Sequence, residues 1–113
     1  MVEHNIAFSS AGPASLKLYE ELLTALNSIE AFREEMKKTC IHLVRGSAFA
    51  GIRPRKQHLL LTIKALKPIK SSRILKAERV SKNRWHLELK LASMEDIDSE
   101  LLSWLRDAYD LCI

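Results

Sequence analysis

Basic and imidazole side chains supply most of the chemistry that this 113-residue chain could perform. Arg53, Arg55 and Lys56 flank Pro54, with Lys38 and Arg45 on neighbouring strand ends. Guanidinium forks bind phosphate oxygens two at a time, so such a corner can hold a phosphate or a nucleic-acid backbone. The same charges suit a solvated hairpin tip that resists edge aggregation. His42, His58 and His86 alternate onto one side of their strands, together with Phe49, Arg53, Thr62, Lys64 and Glu88.

Three histidines could hold zinc with one position left open, but none shows a local ligand spacing such as HxxxH, and no metal is expected. His86 with Glu88 could do acid–base work. No nucleophile or pocket points to them, so no catalytic residue is assigned, no cofactor is expected and enzymatic activity stays open. Cys40 lies beside basic residues, which would favour its thiolate if it were exposed; burial as a small hydrophobe in a strand is the favoured reading. Cys112 reads as incidental. Phe49 could stack a nucleobase, although packing against the N-terminal leader or a second subunit suits it better.

The elements that must position these groups follow from periodicity. Gly12-Pro13 opens a helix, proline being tolerated at the first helical position. Leu18, Tyr19, Leu22, Leu23 and Leu26 form its apolar stripe. Residues 28–38 fit a broken or extended connection better than a helix. Period-two alternation predicts strands over about 39–44, 47–53, 57–65 and 84–91, with a short one at 74–80. Arg45-Gly46 and Ser81-Lys82-Asn83 supply turns, and Pro54 ends a strand because it has no N–H to donate. A last helix starts near Ser93, where Ser-x-x-Asp has the form of a capping box. Its apolar face is Ile97, Leu101, Trp104, Leu105, Ala108 and Tyr109.

The expected fold is therefore α+β: a four- to five-stranded, mainly antiparallel sheet, with N-terminal and C-terminal amphipathic helices packed on one face. Residues 1–12 read as a leader and 13–113 as one domain. The 47% hydrophobic content suits a folded core, and 6% aromatics make that core mainly aliphatic. A formal net charge of +4 permits nucleic acid, phosphorylated ligands or acidic proteins as partners. No apolar run approaches the roughly 20 residues of a membrane span, so no membrane partner is expected. Two cysteines without CxxC spacing, and no visible signal peptide, point to a cytoplasmic setting.

The run KKTCIHLVRGSAFAGIRPRKQHLLL, then SKNRWHLELKL, then DIDSELLSWLRDAY resembles the bacterial domain of unknown function 5655 from about Leu16 onward. The features that carry the resemblance are Lys38-Thr39, Phe49, Pro54-Arg55-Lys56 and Trp85-His86. An Asp-led helix with Asp98, Trp104, Ala108 and Tyr109 completes them. Leu87 stands where family members often have a second histidine, which argues against a role needing paired histidines. The resemblance implies no established activity and no inherited catalytic residue. It does imply that such domains occur alone or joined to larger proteins, some with nuclease-like parts.

The leading expectation is a non-catalytic module that engages an anionic partner, nucleic acid favoured. Lys38, His42, Arg53, Arg55, Lys56, His58 and His86 are its candidate contacts. The second expectation is a protein-interaction or homodimer module using Val44, Phe49 and Leu60. The third is a domain or small enzyme for a phosphate-bearing metabolite, built on His58, His86 and an arginine.

Overall fold

The computed structural model describes residues 12–27 and 31–112. The expected leader, apart from Gly12, and the start of the 28–38 connection lie outside the described residues. Among the described residues, two α-helices frame six strands: α1 (Pro13–Leu26), β1 (Arg33–Met36), β2 (Ile41–Val44), β3 (Ala48–Pro54), β4 (Leu59–Ala65), β5 (Ile74–Ser81), β6 (Arg84–Leu91) and α2 (Ser99–Leu111). The strands form one sheet in the order β1-β2-β3-β4-β6-β5, and every pairing is antiparallel.

The α+β class and the antiparallel sheet agree with expectation, but the sheet has one strand more than the upper expected count. The addition is β1. Its sequence, Arg-Glu-Glu-Met, lacks an apolar alternation, and among the described strands it pairs with β2 alone, at the edge of the sheet.

The register explains the two faces. Met36, Ile41, Ile52, Leu61, Leu89 and Ile74 form one row across all six strands. That row and its neighbours, such as Leu59 with Leu91 and Ile63 with Leu87, point to the helices. Leu18, Tyr19, Leu22 and Leu26 of α1 join the same core, as do Leu101, Leu105, Ala108 and Tyr109 of α2. Each fully buried aliphatic side chain contributes roughly 1.5–3 kcal/mol relative to exposure.

The next row, offset by one residue, is Glu35, His42, Gly51, Thr62, Glu88 and Lys76. Strict alternation sends this row to the opposite face, which neither described helix covers. No described helix is long and apolar enough to cross a membrane.

Phe49 departs from its expected face. The β2–β3 register runs Leu43 with Ala50, then Val44 with Ala48, so a bulge at Phe49 breaks the alternation. Phe49 is only 1% exposed and packs edge-to-face against Phe32 and Tyr109, at centroid distances of 5.9 and 5.3 Å. It is a core residue beneath α2, not an open-face aromatic. Val44, beside the same bulge, is also buried.

The last helix is two elements. Met94–Asp96 is a short 3₁₀ turn in which the Asp96 carboxylate accepts from the N–H groups of Ala92 and Ser93 at 2.8 and 3.1 Å. The α-helix proper starts at Ser99, capped by Asp98, which accepts from the Leu101 N–H at 3.0 Å. Arg73 ties this start to the preceding loop. Its guanidinium donates to Asp98 and Glu100 at 3.0 Å and to the Asp96 carbonyl at 2.7 Å, and it lies over the Trp104 ring.

Candidate functional site

The open face is a sheet surface into which alternation projects long polar side chains. A shallow concavity of about 240 Å³ lies over its β2–β3–β4–β6 part. Its polar wall is Cys40, His42, Arg53, Thr62, Lys64 and His86. Gly51 forms the floor between His42 and Thr62. A Cβ added there would meet His42 Cδ2 at 3.6 Å, an ordinary contact, so the glycine leaves open the space above it.

Sheet pairing brings these groups together from distant sequence positions. His86 on β6 sits directly across from Lys64 on β4, and Glu88 across from Thr62. Arg53 Nη2 reaches Glu88 Oε2 at 3.5 Å. Lys64 Nζ donates to Ser47 Oγ at 3.2 Å and lies 3.6 Å from Cys112 Sγ. Cys40 Sγ lies 3.8 Å from His42 Nε2. No group of three or more His, Cys, Asp or Glu side chains among the described residues could hold a metal ion.

Of the seven expected contacts, His42, Arg53 and His86 converge on the concavity, and the other four do not line it. His58 lies on the β3–β4 turn, partly buried. Desolvation, with the nearby charges of Lys90 and Arg55, lowers its pKa below the usual histidine range. That shift disfavours the charged imidazolium that an anion would attract.

Arg55 and Lys56 are exposed on the same turn. Their backbone has a structural task. The Arg55 N–H bonds the His58 carbonyl at 2.8 Å, closing the turn, and the Lys56 carbonyl accepts from the Gly12 N–H at 3.2 Å. The buried Ser15 hydroxyl reaches the carbonyls of Arg55 and His58. A side chain at Gly12 would press to 2.6 Å from the Lys56 carbonyl oxygen, so glycine is what lets α1 dock on this corner.

Lys38 is exposed on the β1–β2 turn. The antiparallel register places that turn at the same end of the sheet as the Pro54 corner. Arg45 is committed elsewhere: it stacks on Tyr109 at 4.2 Å, donates to the Tyr109 carbonyl at 3.2 Å and pairs with Asp110.

Thr62 and Lys64, placed on this face by alternation, also line it without being among the expected contacts, and so do Cys40 and Gly51. Alternation put Cys40 beside His42, but the burial preference of cysteine argued for the core; Cys40 is in fact only partly buried. Gly51 has no side chain to signal a role, and only its place between His42 and Thr62 reveals one.

No curated protein and no solved structure matches the chain. Residues 6–112 match the family described as Domain of unknown function (DUF5655), which covers nearly the whole sequence. With the resemblance at Lys38-Thr39, the Pro54 corner and Trp85-His86 extended to that span, the chain belongs to the DUF5655 family.

Proposed function

We propose that the protein is a non-catalytic binding module whose open-face concavity takes an anion, a phosphate group on a compact ligand being the best fit. The convergence of His42, Arg53, Lys64 and His86 around the bare floor at Gly51 is the observation that carries this reading. Arginine and lysine supply charge and donors, while the two imidazoles and the Thr62 hydroxyl supply oriented hydrogen bonds. The volume, about 240 Å³, falls below the usual range for drug-sized ligands, which suits a phosphate with a small attached group. Phe49 touches the concavity but is only 1% exposed, so it offers a base no open ring face.

A polynucleotide is the second reading, favoured by a different observation. Lys38, Arg55 and Lys56 stand exposed at one end of the sheet, beyond the concavity. A single strand could set one phosphate in the concavity and others along that end.

Titration of inorganic phosphate and of a short single-stranded oligonucleotide tests both. Arg53→Ala combined with Lys64→Ala should abolish phosphate binding and leave the fold intact. Arg55→Ala combined with Lys56→Ala should weaken only the oligonucleotide, whose affinity should fall steeply with salt. Absence of binding by both probes at low ionic strength would overturn the proposal.

A further inference from the structure

Cys40 and Cys112 occupy opposite environments. Cys112 is 3% exposed, with its Sγ directed at the Ala48 carbonyl and Lys64 Nζ, both 3.6 Å away. Cys40 is partly exposed and lines the open-face concavity. On one side, His42 Nε2 stands 3.8 Å from its sulfur. On the other, the register that pairs Ile41 with Ile52 brings Cys40 beside Arg53 one residue further on. A thiol, a proton acceptor and a guanidinium therefore share one wall of one cavity. A thiolate is the attacking species in thiol–disulfide exchange, and an adjacent imidazole can take the thiol proton as the attack begins.

We infer that Cys40 is the nucleophile of the concavity and that it exchanges with small disulfides carrying carboxylate groups. The charge preference rests on the concavity being an anion site, as proposed above. In the reaction, His42 takes the Cys40 proton and Sγ attacks one sulfur of the bound disulfide. A Cys40–sulfur bond forms as the original sulfur–sulfur bond breaks. The departing sulfur leaves with the bonding electron pair as a thiolate and is protonated from His42. The disulfide is the oxidant: Cys40 is oxidised to a mixed disulfide and the released half is reduced to a thiol. Arg53 holds the carboxylate of the incoming molecule. The mixed disulfide then fills the concavity, so exchange at Cys40 closes the anion site to other ligands.

The test compares the dianionic disulfide dithiobis-nitrobenzoate with the cationic disulfide cystamine on the folded protein, with the labelled cysteine located by mass spectrometry. Cys40 should react with the anionic reagent about tenfold or more faster than a cysteine in an unstructured peptide, the scale of electrostatic focusing in charged clefts. Cystamine should show no such gain, and Cys112 should stay unlabelled until the protein unfolds. Arg53→Ala should remove the charge preference, and His42→Gln should slow both reagents.

Phosphate binding is measured on the wild-type protein before and after labelling, and the labelled protein should no longer bind. A Cys40 rate equal to the peptide's, or a fast rate with no charge preference, overturns the inference. If phosphate still binds in that case, the anion site stands without the nucleophile.

Discussion

Arg53 on β3 reaches across the width of β4 to Glu88 on β6, with 3.5 Å between Nη2 and Oε2. Arg53 lines the concavity, and Glu88 is its ion-pair partner. An exposed pair of this kind contributes only about 0–1 kcal/mol to stability. Its larger consequence is for ligands, because an entering anion must compete with the Glu88 carboxylate for the same guanidinium. Glu88→Gln should therefore leave the urea midpoint nearly unchanged and tighten phosphate binding by about three- to tenfold, a gain on the order of 1 kcal/mol. Calorimetric titration checks it; weaker binding in the variant would show that Glu88 is itself a ligand contact.

Gly51 gives a second handle on the same space. Its Cβ position has room, at 3.6 Å from His42 Cδ2, so Gly51→Ala should fold and gain about 0.5–1 kcal/mol from the restricted unfolded chain. Gly51→Leu should fill the concavity and abolish phosphate binding. Thermal denaturation read beside the titration separates the two effects.

Phe49 belongs to stability rather than to binding. Truncating an aromatic buried between Phe32 and Tyr109 should cost about 3–5 kcal/mol. Phe49→Leu should cost less and leave anion affinity unchanged. Urea denaturation measures the cost, and a selective loss of oligonucleotide binding in a stable Phe49→Leu protein would restore a stacking role.

Acid stability should depend on Asp98. The Leu101 N–H, helped by Arg73, holds its carboxyl below the usual carboxylate range. A carboxylate whose folded pKa is lowered contributes stability that is full above its unfolded value, about 3.9, and is lost as pH falls through the folded value. Asp98→Ala should cost about 1 kcal/mol at neutral pH, as for other helix caps. Its deficit should shrink below about pH 4, where the wild-type group also protonates. Asp98→Asn keeps the cap acceptor and should fall between the two. A deficit that is constant down to pH 2 would contradict this account.

Much of this was legible in the chain. Alternation in the 57–65 and 84–91 runs assigns each core and open-face residue of β4 and β6 correctly, since both strands pair without a break over Leu59–Ala65. The apolar stripes of both helices read directly from a helical period. The bulge at Phe49 was hidden because one extra residue reverses a side chain's face without changing the local composition. β1 was hidden because an edge strand of Arg, Glu, Glu and Met has no apolar pattern to detect. Which cations meet depends on strand order. His86 joins His42 only because β6 inserts beside β4, and His58 is excluded because it sits on the turn rather than over the sheet.

Histidine side-chain NMR during a phosphate titration of the wild-type protein reads the occupancy of the concavity residue by residue. The ring signals of His42 and His86 should shift together and saturate with one affinity, His58 should stay still, and Arg53→Ala should abolish the response. Shifts that begin at His58, or none that saturate at His42 and His86, would contradict an anion site in the concavity.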